Sequence, residues 1–347
     1  MKKNRLGQTD LWVSNLCLGS MTWGTQNDAE DAREQIALAV DYGVNFIDTA
    51  EMYPVNPIRA ETVGRTERIV GLWFEEGNPR DDIIIATKHS GIGFEHAREG
   101  AAITPETIPQ AIEGSLRRLQ TDYIDLYQFH WPNRGSYMFR QNWMYNPKGM
   151  KRDEVIQNMD DCMGVLQDQV TKGNIRSFGL SNESAWGTTQ WVEASKRSGG
   201  PRPASVQNEY SLLCRLFDTD MAEAAILEQV GLLAFSPLAA GLLTGKYQDG
   251  QIPDASRMTI NPDLGGRTTP QVYQAVDGYL KVAQKHGLDP VQMALAFCLG
   301  RPFMTSVIFG ATTLAQLELA LGAGEMRLSP KVRDDIAKVH RAFPMPY

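Results

Sequence analysis

Eight short apolar runs, each separated from the next by a polar or helical stretch, restrict this chain to a parallel β/α architecture. They are "NLCLGS" (15–20), "VNFIDTA" (44–50), "DIIIATK" (82–88), "YIDLYQFH" (123–130), "IRSFGLS" (175–181), "ASVQNE" (204–209), "GLLAFSPL" (231–238) and "TSVIFG" (305–310). Each is apolar or β-branched and has a good length for a buried strand. Between them lie segments with helical periodicity. "DAEDAREQIALAVDYG" puts Ala32, Ile36, Ala39 and Val40 on one face and stops at Gly43. "TPETIPQAIEGSLRRLQ" has Thr104 in the N-cap place, Pro105 at the first helical position, and Ile112, Leu116 and Leu119 inward. Strands that alternate with helices run parallel and are covered by those helices. Eight such units predict a closed (β/α)8 TIM barrel, read as one domain over residues 1–347. The competing open sheet with a Rossmann half lacks its GxGxxG after the first run.

Three features fall outside the repeat. "KKNRLGQTDLWVS" alternates around a turn at Gly7–Asp10 and predicts an N-terminal β-hairpin capping the barrel floor. "SPKVRDDIAKVH" predicts an extra C-terminal helix. Two long loops, 131–152 and 239–269, follow strands and so belong to the carboxyl face, where barrel sites are built.

The formal charge of −7 argues against nucleic acid or an anionic membrane as partner, and no apolar run reaches eighteen residues. Cys17, Cys162, Cys214 and Cys298 are scattered without metal spacing, so no metal site is expected. "MKKNRLGQTD" lacks the apolar stretch of a secretion signal. Together these predict a cytoplasmic protein with reduced thiols.

The polar residues closing the apolar runs carry the chemistry. Asp48 closes the second, with Tyr53 five residues on; Lys88 closes the third and His130 the fourth. A phenol is a poor acid near neutrality, its ordinary pKa being about 10. A neighbouring ammonium stabilises phenolate and is expected to lower that value. Asp48 would hold Lys88 charged, and His130 would hydrogen-bond a carbonyl oxygen. Such a set protonates an oxygen as negative charge builds on it, as in hydride addition to a carbonyl. Glu51 lies between Asp48 and Tyr53. A barrel glycosidase pairing Asp48 with Asp125 is disfavoured, because Asp125 precedes the apolar finish "LYQF" and Lys88 would have no role.

These residues, in this order, resemble the aldo-keto reductase superfamily over essentially the whole chain. "RLGQTDLWVSNLCLGSMTWG", "FIDTAEMY", "IIIATK", "SLRRLQTDYIDLYQFHWP", "IRSFGLSN" and "VQNEYSLL" match its successive blocks. "DTAEMYP", the Trp after the histidine and "GATT" bring it closest to the bacterial Tas-like branch. The resemblance implies Tyr53 as general acid, Lys88 as the partner tuning it, Asp48 as anchor of Lys88, and His130 as the group orienting the carbonyl, with Glu51 pointing elsewhere. It also implies NADP(H) lying across the barrel mouth. Ser181, Asn182 and Gln207 take the nicotinamide carboxamide, and Phe235 lies under the ring. Ser236, Leu238, Gly241 and Lys246 meet the pyrophosphate, with Arg257 as a second cation. Gly310, Thr312 and Gln316, at the start of a helix, take a further phosphate.

This sequence departs from better-studied branches near the adenine. A basic residue is replaced by Gly310, an Arg by Gln316, and a Glu and an Asn by Leu319 and Ala320. NADP(H) remains the expected cofactor, with NAD(H) or dual use as the alternative.

Met21, Trp23 and Trp131 are expected to wall an apolar pocket with Tyr137, Phe139, Trp143 and Tyr145, suiting aromatic or medium-chain aldehydes and ketones. The aromatic loop equally suits packing on itself or on a neighbouring subunit. Arg134 and Arg140 either select an anionic substrate or are solvated. The insertion 54–65 forms a second lid. Substrate and oligomeric state stay open. A second reading of the resemblance is a nucleotide-binding regulatory subunit like those of potassium channels.

Overall fold

The computed structural model describes residues 1–347. Its N-terminus forms an antiparallel hairpin, β1 (Lys3–Arg5) with β2 (Trp12–Ser14). Eight parallel strands follow: β3 (Leu16–Gly19), β4 (Phe46–Asp48), β5 (Ile84–His89), β6 (Ile124–Phe129), β7 (Ile175–Ser181), β8 (Pro203–Glu209), β9 (Gly231–Phe235) and β10 (Met304–Phe309). Each overlaps one predicted run, and β10 pairs with β3 to close the barrel.

The two-residue period of a strand explains how the barrel is filled. Phe46, Ala86 and Leu126 lie in the apolar cluster at the floor, together with Leu6, Leu11 and Val13 of the hairpin segment. Two residues further along the same strands stand Asp48, in register with Ala86, and Lys88, in register with Gln128. The interior is therefore greasy below and polar above, with the hairpin sealing the greasy end. Between barrel and helices, a second and larger core buries the outward residues, Ile47, Ile85 and Tyr127 among them.

Helices α1 (Ala29–Asp41), α2 (Arg65–Glu75), α3 (Thr107–Leu119), α4 (Arg152–Thr171), α5 (Ala185–Ser198) and α6 (Asp220–Leu227) follow β3 to β8 in turn. Between β9 and β10 stand the single turn α7 (Arg257–Ile260), then α8 (Pro270–Lys285) and α9 (Pro290–Leu299). After β10 come α10 (Leu314–Leu321) and the predicted extra helix α11 (Pro330–Ala342), which packs on α8.

Four details correct the periodicity reading. Val40 is 39% exposed, and Gln35 takes the buried place beside Ile36. The Gln35 side chain accepts a 3.0 Å hydrogen bond from Trp23 Nε1, which explains a buried amide on an apolar face. Helix α3 starts at Thr107, not Pro105, and Thr104 instead accepts a bond from the Thr107 amide in the preceding turn. Helices α2 and α9 were not foreseen. Gly64 enters α2 with no capping side chain, so α2 lacks a start signal, whereas α9 has one in Asp289 and Pro290 but is buried almost all round and so shows no apolar stripe.

Candidate active site

Asp48, the last residue of β4, pairs in register with Ala86, and Lys88, the penultimate residue of β5, stands two positions further toward the carboxyl mouth, its side chain meeting the Asp48 carboxylate inside the barrel. Lys88 Nζ donates to Asp48 Oδ2 and to the Thr49 carbonyl, each at 2.7 Å, and the lysine is fully buried. Asp48 Oδ1 accepts from Gln207 Nε2 at 2.7 Å and from Gln128 Nε2 at 3.4 Å. The carboxylate is thus satisfied from β5, β6 and β8 together, which a buried ion pair requires. Tyr53 lies beyond the strand, its ring centroid 5.0 Å from Lys88 Nζ. His130, just past β6, meets the Tyr53 ring edge-on with centroids 5.9 Å apart.

The electrostatics follow from burial at this depth. Desolvation works most strongly against the Lys88 ammonium, but Asp48 and then Tyr53 reverse it, and the lysine pKa ends above its ordinary value. Burial pushes the Tyr53 phenol up, with Asp48 adding to that, and Lys88 only partly offsets it. This corrects the expectation of a lowered tyrosine pKa: desolvation outweighs the ammonium, and the side chain stays a protonated phenol. Burial, and then Lys88, hold His130 far below the usual histidine range, so its imidazole is neutral. His130 Nδ1 is buried without a partner. Placing the ring proton on Nε2 leaves an unpaired acceptor there rather than an unpaired donor, the cheaper defect. The mouth therefore offers a protonated phenol, a neutral imidazole and a held ammonium.

The amide group at the rim is partly as expected. Asn182, in left-handed backbone at φ +53°, donates from Nδ2 to the His130 carbonyl at 2.9 Å and to Ser181 Oγ at 3.2 Å. Its Oδ1 is buried with no partner in the chain. Ser181 Oγ donates to the Gln207 carbonyl at 2.9 Å. Gln207 departs from expectation: its side-chain nitrogen serves Asp48, leaving only Oε1 for another group. Phe235 is half-buried at the end of β9. After it the chain holds Ser236, Ala239, Ala240 and Gly241 at positive φ, an uncommon density for residues with a Cβ. Gly241 stands at φ +95°, a conformation that favours glycine, and the end of the Lys246 side chain lies over it.

Arg257 opens α7. Its buried Nε has no partner, and burial together with Arg267 lowers its pKa to about 10. Leu238 is half-buried in the same loop as Ser236. Gly310, Thr312 and Gln316 stand together at the start of α10. Thr312 donates from its amide and hydroxyl to Gln316 Oε1, both at 3.1 Å, turning that side chain back on the loop.

The expected substrate pocket is corrected at one wall. Trp23 is fully buried on the Gln35 side and cannot face a ligand. Trp131 lies 4.9 Å from the His130 ring, anchored by its Nε1 on the Ile92 carbonyl, and Met21 is half-buried near Asn56. In the aromatic loop Tyr137 and Tyr145 pair edge-on at 5.7 Å, while Phe139 and Trp143 are exposed. Arg134 forks onto Glu183 and Arg140 donates from Nη1 to Glu209 Oε2 at 2.8 Å, so neither is a solvated charge. Asp125 accepts from Arg80, Arg176 and the Ile85 amide near the start of β6, far from the rim, consistent with its exclusion from the chemistry.

Gln128 and Glu209 escaped the sequence reading. Alternation was the available signal for Gln128, since it sits on the inward face two residues beyond Leu126. Glu51 does point away from Tyr53, onto Arg98.

Residues 15–341 match the profile of the family described as "Aldo/keto reductase family". The chain is 40% identical to "Protein tas" of Escherichia coli (strain K12), the comparison covering 100% of this chain and 99% of that protein. It is 31% identical to a "Probable voltage-gated potassium channel subunit beta" of Arabidopsis thaliana, over 99% of this chain and 98% of the other. It is 30% identical to the "Uncharacterized oxidoreductase YrpG" of Bacillus subtilis (strain 168), over 100% and 97%.

Proposed function

This chain belongs to the aldo/keto reductase family of oxidoreductases, and we propose that it reduces aldehydes or ketones to alcohols, reversibly, with NADP(H). The observation that carries the reading is the buried Lys88–Asp48 pair beneath a protonated Tyr53, beside a neutral His130. A nicotinamide held by Ser181, Asn182 and Gln207 over Phe235 would supply the hydride. Tyr53 gives its proton to the carbonyl oxygen as negative charge builds there, and the Lys88 ammonium stabilises the phenolate left behind. His130, donating through Nε2, fixes the oxygen, and Asp48 keeps Lys88 charged.

The residues present suit the cofactor. The orphan Asn182 Oδ1 and the remaining Gln207 Oε1 are acceptors for the N–H groups of a neutral carboxamide, with Ser181 adjacent. Phe235 offers an apolar face. Lys246 and Arg257 have no carboxylate partner, which suits them to phosphates, with the Ser236–Gly241 loop and the Gly310–Gln316 turn as neutral walls. NADP(H) is preferred on those two cations; NAD(H) or dual use is the alternative. Four unpaired, buried thiols suit a reducing cytoplasm, and no helix is long and apolar enough to cross a membrane.

The likeness to a probable channel β subunit favours one other reading, a regulatory nucleotide-binding subunit of little turnover. Titration with NADPH and NADH, followed by quenching of the seven tryptophans, tests both. Micromolar NADPH binding that Arg257→Met weakens at least about tenfold, with aldehyde turnover that Tyr53→Phe lowers about 10²–10⁴-fold, supports the reductase. Binding without turnover, wild type equal to Tyr53→Phe, favours the regulatory reading. Failure to bind either nucleotide refutes both.

A further inference from the structure

The segment that carries Tyr53 leaves β4 at Asp48 and has no strand to hold it. It is nevertheless tied to β5 beyond the strand end. The Thr49 amide donates to the Ala86 carbonyl at 2.8 Å and the Glu51 amide to the Lys88 carbonyl at 3.3 Å, continuing the parallel ladder. The next rung is different. The Ser90 amide donates to the Glu51 side chain, at Oε1 and 2.5 Å. A carboxylate thus stands where the next rung would form, as the main chain turns toward Tyr53.

That carboxylate is buried, and one cation holds it. Arg98 forks onto it, Nη1 to Oε2 at 2.8 Å and Nη2 to Oε1 at 2.5 Å. The fork offsets desolvation enough to keep the Glu51 pKa below its usual value. Arg98 reaches it from a loop in which Arg98, Glu99 and Gly100 all have positive φ. Two residues with a Cβ in that region are a local expense that persists only where surrounding contacts over-determine it.

We propose that Glu51, clamped by Arg98, is a positioning residue that fixes the Tyr53 segment against the Lys88 end of β5 and so sets phenol against ammonium for proton transfer. This rests on the reductase reading for its kinetic consequence. A carboxylate serving only core stability needs its charge paired, whereas a rung needs an acceptor at Oε1 whatever its charge.

Three variants separate these. Glu51→Gln keeps the Oε1 acceptor for Ser90, and turnover stays within about threefold. Glu51→Leu removes it and lowers kcat at least about thirtyfold, with NADPH affinity within about twofold. Glu51→Leu/Arg98→Met leaves no unpaired charge, so its Tm recovers toward wild type while kcat stays low. Hydrogen exchange of the cofactor-free double variant is expected to quicken at least about tenfold in 49–53, and at Ser90, whose amide loses its acceptor, with the rest of the barrel unchanged. A double variant with wild-type kcat, a kcat loss matched by loss of NADPH affinity, or unchanged exchange at 49–53 each overturns the proposal. If the wild type turns nothing over, the reductase reading fails by itself. The exchange measurement then decides the clamp: faster exchange upholds its hold on the segment, and unchanged exchange overturns it.

Discussion

At the residue scale, burial governs the rim more than charge pairing does. His89, next to Lys88, is enclosed between the Ser90 carbonyl at 2.7 Å and Thr107 Oγ1 at 3.1 Å. Burial, with Arg98 opposing protonation and Glu51 favouring it less strongly than burial disfavours it, brings its pKa down to about 4. An unfolded histidine takes up its proton near pH 6.5. Between that point and about 4 the unfolded chain binds more protons than the folded one, so stability falls as pH drops. His130 is shifted in the same direction and adds to the slope. Urea midpoints should be flat above about pH 6.5 and fall steadily below, His89 alone accounting for up to about 3 kcal/mol by pH 4. His89→Gln should flatten that fall; an unchanged slope would show that His89 titrates normally. The same dominance of desolvation keeps Tyr53 protonated, which a sequence listing Lys88 as its neighbour does not reveal.

Elements place these residues by period and are stopped by local chemistry. The hairpin of β1 and β2 shows how tightly one element can be fitted. Gly7 turns it at φ +55°, where a Cβ would lie 2.4 Å from the Ala204 carbonyl oxygen of β8. Left-handed backbone alone disfavours alanine by about 1–2 kcal/mol, and the overlap adds to it. Gly7→Ala should therefore destabilise the fold by about 3 kcal/mol in urea unfolding. Gly77→Ala, at φ +88° with nothing near its Cβ, should lose only the backbone share. Because the hairpin seals the apolar floor, nucleotide affinity should not change in either. The barrel strands were readable as short apolar runs, and the hairpin from two-residue alternation. The starts of α2 and α3 were less so, since α2 has no capping side chain and the Thr104 turn precedes α3 without belonging to it.

In the whole molecule, Glu209 joins parts that the chain keeps far apart. It ends β8 and accepts from Arg140 of the first long loop at 2.8 Å, from Arg267 of the second at 2.8 Å, and from the Tyr347 hydroxyl at 3.0 Å. One buried carboxylate thereby fastens both loops and the C-terminal residue over the mouth. Removing one partner from such a cluster typically loses about 3–5 kcal/mol, because the remaining charges stay buried and unpaired. Glu209→Gln should make loops 131–152 and 239–269 the first sites of limited proteolysis. It should also weaken nucleotide binding about tenfold, since Arg257 sits in the second loop. Unchanged cleavage and affinity would show that the loops hold themselves.

The amino-acid sequence by itself determined the barrel, the hairpin and the rim positions of Asp48, Lys88 and His130, because apolar runs, hairpin alternation and strand ends are local. Only the tertiary structure decided that Trp23 faces Gln35, that Gln207 spends its nitrogen on Asp48, and that Glu51 closes on Arg98. Those contacts bridge 12, 159 and 47 positions of sequence. They depend on which buried polar group finds a partner once water is gone, and no periodicity along the chain encodes that choice.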